Sequence, residues 1–200
     1  MIQFFNFLLG ITTLIFAHSM LLISPKFREN YLKIESDLIS NLQSKENLPD
    51  TLFKAIIVIE DKRFYSHLGV DFYSILRAFR NNTIKKRKEG ASTISQQLVR
   101  VITNKREITY SRKITEILLS LIINTKLTKK QIITGYCWLY QFEKSLGIES
   151  LCQIENYTLK NLTHNESCQI AARFKYPSLR KSNYNNYLKR VRTIELTLTN

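Results

Sequence analysis

The most constraining feature of this chain is a run of 22 residues, Ile2 to Ile23, that carries no charge. It reads IQFFNFLLGITTLIFAHSMLLI, with Gln3, Asn6 and His18 as its strongly polar side chains, and Pro25-Lys26 closes it. At 1.5 Å per residue a helix of this length spans roughly 33 Å, enough to cross the hydrocarbon of a bilayer. A cleaved signal peptide would open with a basic region, and a buried helix of a soluble core would show a polar face; the run has neither. It predicts one transmembrane anchor over residues 1–25.

Lys26, Arg28 and Lys33 follow the span, and the positive-inside rule would place what comes after it in the cytoplasm. Glu29 and Glu35 offset part of that charge, and basic residues beside a span also bind lipid headgroups. Residues 26–48 read as a stem or linker, and residues 49–198 as one domain built from a string of helices. Pro49-Asp50 suits a helix start, with Leu52, Phe53, Ile56, Ile57 and Ile59 as the apolar face and Glu60-Asp61 near the end. Asp71 is placed to cap a helix carrying Phe72, Ile75, Leu76 and Phe79, which Asn81-Asn82 should end. Residues 83–91, TIKKRKEGA, read as a mobile basic loop. Thr93/Gln96 and Thr128/Gln131 have capping-box spacing, and a long helix is expected from Thr109 to Lys126. Further helices are expected over Ile132–Phe142, 147–158, 165–174 and 185–198. Strand-like alternation is scarce, so the fold class is mainly α.

Lys and Arg number 30 against 16 Asp and Glu, a net charge of +14, which calls for a polyanionic partner. The excess is concentrated in residues 77–130, which hold fourteen basic residues against Glu89, Glu107 and Glu116. A nucleic-acid surface would interleave base-stacking aromatics there, but this window offers only Phe79 and Tyr110. No nucleic-acid partner is expected; a phosphate-bearing small or lipid substrate fits better beside a membrane anchor. Cys137, Cys152 and Cys168 are odd in number and lack CxxC spacing, so they read as core residues rather than a zinc site.

Three short segments carry chemistry-bearing residues. In Glu60-Asp61-Lys62-Arg63-Phe64-Tyr65-Ser66-His67-Leu68-Gly69 a carboxylate pair at a helix end precedes an aromatic, a His and a Gly. In Gly90-Ala91-Ser92-Thr93-Ile94-Ser95-Gln96-Gln97-Leu98-Val99-Arg100 a loop delivers a helix N-terminus rich in hydroxyls and amides, where free N–H groups favour an anion. Arg100 falls three after Gln97 on the same helical face. In Arg112-Lys113-Ile114-Thr115-Glu116 two cations share a face with one carboxylate, a spacing that suits either a plain ion pair or a clamp on pyrophosphate.

Taken together and in this order, ED-x-x-F-x-x-H-x-G, G-x-ST-I-x-QQ-L and RK-x-x-E resemble family 51 glycosyltransferases, the peptidoglycan glycosyltransferase domains of class A penicillin-binding proteins and monofunctional biosynthetic transglycosylases. The resemblance continues more faintly through Gly147-Ile148-Glu149, Tyr157, Glu166 and Ala171-Ala172 to Pro177-Ser178. The short remainder after residue 178 points to the monofunctional type. The resemblance implies a lysozyme-like helical domain behind a single N-terminal transmembrane helix, in the bacterial inner membrane with the catalytic domain on the periplasmic side. That side conflicts with the flanking charge. It implies polymerisation of lipid II into glycan strands, with inversion at the anomeric carbon and undecaprenyl diphosphate as leaving group. Glu60 corresponds to the general base and Glu116 to the second essential carboxylate. Arg100, Arg112 and Lys113 correspond to contacts with the donor phosphates, and Ser92, Thr93, Gln96 and Gln97 to the substrate cleft. Lipid II, the growing strand and cell-wall synthesis proteins are the implied partners. No cofactor is required, though some members use a divalent cation, Mg or Mn, at the diphosphate.

The later part of the chain departs from the family pattern. Where I-L-E-x-Y-L-N is usual, this chain has Ile132-Ile133-Thr134-Gly135-Tyr136-Cys137-Trp138, and Glu143 stands where a small residue is usual. The alternative these changes leave open is a catalytically impaired relative that binds lipid-linked precursor or cell-wall partners without turnover.

Overall fold

The computed structural model describes residues 2–42, 48–86, 89–105, 107–142 and 145–199. These form α1 (Ile2–Ile23), α2 (Pro25–Leu42), α3 (Asp50–Glu60), α4 (Phe72–Thr83), α5 (Ile94–Thr103), α6 (Tyr110–Lys126), α7 (Lys129–Leu139), β1 (Gln141–Phe142), β2 (Ser145–Leu146), α8 (Gly147–Ile154), α9 (His164–Arg173) and α10 (Lys181–Thr199). Single 3-10 turns lie at Phe64–Ser66 and Leu159–Asn161. The fold is mainly α, as the sequence predicts. Glu143 lies outside the described residues.

Both expected capping boxes form. Thr93 and Gln96 bracket the start of α5, Thr128 and Gln131 that of α7, and Thr163 and Glu166 make a third at α9. Two helices stop earlier than periodicity suggests. Helix α7 ends at Leu139 because Tyr140 turns extended and β1 pairs with β2 in a two-residue hairpin, Gln141 opposite Leu146. Helix α8 ends at Ile154, where Asn156 takes φ 59° and the Tyr157 N–H returns to the Cys152 carbonyl at 2.8 Å, a left-handed helix stop. Helix α4 in turn runs through Asn81-Asn82 to Thr83.

The core lies where α3 packs on α9 and where α5 packs on α6 and α7. Leu52, Phe53, Ala55 and Ile56 of α3, Leu98 and Val99 of α5, and Ile170, Ala171 and Ala172 of α9 are buried in one continuous cluster. Full burial of each larger side chain contributes about 1.5–3 kcal/mol. Helix α2 joins this cluster through Phe27, Ile34 and Leu38, so the residues after the apolar run pack on the domain. The three cysteines are free and buried.

Helix α1 is long and apolar enough to cross a membrane. It packs against α4 and α6 through a stripe at helical spacing, with Asn6, Gly10 and Ala17 buried. Gly10 brings the backbone close to Leu68. Much of its remaining surface is apolar and outward-facing, including Phe4, Phe7, Ile15, Phe16 and Leu22, with Gln3, Thr12 and His18 also exposed, a surface largely suited to lipid. Arg28 donates to the Leu21 and Leu22 carbonyls and so caps the end of α1.

Candidate active site

The first motif builds a turn. Asp61, 7% exposed, accepts from the Ile94 N–H at 3.1 Å and from His67 Nε2 at 3.0 Å. The Gly69 N–H donates to His67 Nδ1 at 3.1 Å, which leaves Nε2 as the protonated nitrogen facing Asp61. The Gly69 carbonyl accepts from Thr93 Oγ1 at 2.6 Å. Gly69 has φ 97°, and a Cβ there would run into the Ser120 carbonyl of α6, so only glycine fits. Lys129 of α7 closes the turn from below, donating to the His67 carbonyl at 2.7 Å and to Asn124 Oδ1 at 2.9 Å. Burial pushes its ammonium down to about 8, with Asp61 opposing the shift. This hub fixes the N-terminus of α5 against the end of α3.

Helix α5 then brings the two acids together. Gln97 Nε2 donates to Glu60 Oε2 at 3.0 Å, and Arg100, three residues on, donates to Glu116 Oε1 at 2.9 Å. Side chains three apart on a helix are neighbours with Cβ atoms about 5–6 Å apart. Glu60 from α3 and Glu116 from α6 therefore sit against adjacent positions of one α5 face. A polar pocket of about 180 Å³ opens beside Glu60, lined also by Lys62, Arg63, Arg77, Ser92 and Thr93.

Glu116 is 2% exposed and is met by three cations: Arg100, Arg112 by an i,i+4 ion pair, and Lys113 at 3.3 Å. Lys113 also donates to Ser92 Oγ at 2.9 Å, which ties the cluster to the pocket wall. Burial pulls the Lys113 ammonium below lysine's usual value, Glu116 opposing the shift and Arg100 adding to it. The cluster carries a net charge of about +2, since three cations face one carboxylate. Arg100 and Lys113 remain about one third exposed, open to an anion from outside.

The transglycosylase family model matches residues 29–198. The chain belongs to this family. Among relatives of this transglycosylase, penicillin-binding protein 1A of Clostridium tetani is 34% identical over 172 residues, 80% of this chain and 22% of its own length. Penicillin-binding protein 1A of Rickettsia typhi is 38% identical over 138 residues, 66% of this chain and 18% of its own. That of Neisseria gonorrhoeae is 36% identical over 135 residues, 66% and 17% respectively. The chain thus spans about a fifth of the length of these curated relatives.

Within the transglycosylase the nine sequence-derived residues separate into three groups. Glu60 pairs with Gln97, and Ser92, Arg100, Arg112, Lys113 and Glu116 form a second linked set, the two meeting at adjacent positions of α5. Thr93 and Gln96, 2% and 0% exposed, form the capping box of the turn that carries Ser92 and Gln97; Thr93 also lines the pocket, and Gln96 Oε1 accepts from Lys113 at 3.4 Å. Among the described residues no three His, Cys, Asp or Glu side chains cluster, and the carboxylate in the basic cluster is already surrounded by cations. The roles of three residues are not legible in the sequence. Arg190 of α10 pairs with Glu60 Oε1 across 130 residues of sequence. Tyr136 donates to Gln97 Oε1 at 2.9 Å. Asn6 of α1 bonds Asp71 and the Tyr73 N–H. The departures Thr134 and Trp138 lie on α7, either side of Tyr136; Trp138 is buried in the core, and the Tyr136–Gln97 bond is kept.

Proposed function

We propose that this transglycosylase is a membrane-anchored peptidoglycan glycosyltransferase that polymerises lipid II into glycan strands. The observation that carries this reading is the convergence of Glu60 and Glu116 on one face of α5, with three cations gathered at one of the two acids. In the proposed reaction Glu60 takes the proton of the acceptor sugar's 4-hydroxyl. The freed oxygen attacks the donor's anomeric carbon from the face opposite the leaving group, so the configuration inverts. The bond from that carbon to the diphosphate oxygen breaks, and the electron pair leaves with undecaprenyl diphosphate.

A sugar hydroxyl is a weak nucleophile until a base relieves it of its proton. Negative charge grows on the departing diphosphate, and Arg100, Arg112 and Lys113 are already in place to meet it without reorganising. Glu116 keeps those cations assembled while the site is empty. Ser92 and Gln97 border the substrate, and Thr93 and Gln96 act through the turn they cap. Helix α1 anchors the domain at the bilayer that holds the polyprenyl tail of the substrate. We place the domain on the outer face of the bacterial inner membrane, where the glycan strand grows and other cell-wall synthesis proteins are available as partners. The residues after the span then lie on the outside, against the direction that the flanking charge favours.

The test is polymerisation of lipid II by the full chain in detergent, with product strands resolved by gel. Wild type should yield strands, and Glu60→Gln and Glu116→Gln should each lose at least about a hundredfold in rate, the scale of removing a positioned base or charge stabiliser. Wild type that binds lipid II without making strands would identify a binding-only relative. Full activity in Glu60→Gln would remove the base assignment.

A further inference from the structure

We propose that Arg190 is a positioning residue for Glu60, so that the C-terminal helix α10 is part of the catalytic apparatus. The inference rests on the reading of Glu60 as the base. Glu60 is the last residue of α3, where unsatisfied carbonyls and the negative end of the helix dipole disfavour an anion. Its own helix therefore gives the carboxylate no support. The side chain is 12% exposed, so water supplies little compensation.

The support comes from two other elements, one to each oxygen. Oε2 accepts from Gln97 Nε2 on α5 at 3.0 Å, and Oε1 accepts from Arg190 Nη2 on α10. Gln97 is itself oriented: the Tyr136 hydroxyl donates to its Oε1, which turns the Nε2 donor toward Glu60. Gln97 supplies a neutral donor, and Arg190 supplies the positive charge. Helix α10 packs on α3 and α9, with Tyr187, Val191 and Ile194 buried, so the guanidinium is carried on a fixed element. The Arg190 Nε–H is buried with no hydrogen-bond partner among the described residues. An arginine placed only to satisfy itself would not strand that donor; this one is turned so that Nη2 meets the carboxylate.

The test compares wild type, Arg190→Met, Arg190→Lys and Arg190→Ala in the full chain, by crystal structure and by steady-state lipid II polymerisation. In the Arg190→Met structure the Glu60 carboxylate should leave its place against Gln97 or spread over several rotamers. In the assay Arg190→Met should lose about a hundredfold in kcat with KM within twofold, the scale expected when a reacting group is misplaced by about 1 Å. Arg190→Lys should recover at least tenfold of that loss, as should methylguanidinium added to Arg190→Ala. An ordered Glu60 in its wild-type position in Arg190→Met overturns the proposal whatever the kinetics. A kcat loss that neither lysine nor methylguanidinium restores also overturns it, showing only a structural role. Wild type that makes no strands removes the reading of Glu60 as a base, and the structural arm still decides whether Arg190 holds the carboxylate.

Discussion

Glu60 and Glu116 are both held as ion-paired carboxylates, yet by opposite means. Glu116 is 2% exposed and collects three cations, two of them from its own helix at i−3 and i−4. Glu60 ends its helix, is 12% exposed, and among the described residues takes one cation, from α10, 130 residues away. The first arrangement is local and over-supplied with charge; the second is assembled by tertiary packing and holds one cation and one amide. The difference suits different work. In the proposed reaction the surplus of cations around the buried acid would receive the diphosphate. A carboxylate with one paired charge keeps an oxygen available for a proton once a substrate displaces a partner.

The largest effect that separates the two is on stability. Glu116→Gln leaves Arg100, Arg112 and Lys113 around a neutral centre. Breaking a buried ion pair costs roughly 3–5 kcal/mol, and the exposure of Arg100 and Lys113 places this case at about 3. Glu60→Gln gives up one ion pair instead of three and relieves an anion at a helix C-terminus, so it should cost less than Glu116→Gln by about 1 kcal/mol. Denaturant unfolding of both variants in the same detergent measures the gap. Equal losses would mean that the two acids are held alike.

The same contrast explains what could be read from the sequence. The Arg112–Glu116 pair, the capping boxes at Thr93 and Thr128, and the shared face of Gln97 and Arg100 all follow from spacings of three or four residues on a helix. The Asp61, His67 and Gly69 pattern was visible, but its job was not. Those residues build the turn that seats α5, because the Ile94 N–H and the Ser120 carbonyl that they meet belong to other elements. Arg190 carried no local sign: a basic residue on a polar helix looks like any solvated charge until α10 is packed on α3. The early end of α7 was equally hidden, since a two-residue hairpin is too short to leave a periodicity.

A smaller effect sharpens the comparison at Lys129, the cation next to Asp61 rather than Glu60. Its ammonium titrates at about 8 in the folded protein against roughly 10.4 for an unperturbed lysine. Between those values the unfolded chain binds more protons than the folded one, so stability rises with pH across the window. Below pH 8 both states are protonated and the burial cost stays constant. The difference in unfolding free energy between wild type and Lys129→Met should therefore grow in favour of wild type from pH 8 to pH 10. The slope is bounded by about 1.4 kcal/mol per pH unit for one proton. A flat difference over that range would show that this lysine, unlike Lys113, is not held under desolvation.

The smallest effect concerns a polar contact without a charge of its own. Asn6 is 0% exposed on α1, donates to Asp71 at 3.1 Å and accepts from the Tyr73 N–H at 3.0 Å. Like Arg190 it reaches its partners across a long stretch of sequence, and like Glu60 it depends wholly on tertiary packing. Burial pushes the Asp71 carboxyl up, but the Ser74 N–H, the Asn6 amide and Arg63 outweigh it and hold the group below the usual carboxylate range. Asn6→Leu should cost about 1 kcal/mol, because Tyr73 loses its acceptor while Asp71 keeps Ser74 and Arg63. Asn6→Asp should cost more, since it sets a second carboxylate against Asp71 in a dry contact. Thermal unfolding in lipid nanodiscs reads both, with a shift of about 2–4 °C expected for Asn6→Leu. If Asn6→Asp proves as stable as Asn6→Leu, α1 does not rest on α4 in the bilayer, and this helix is a tether rather than a docked part of the domain.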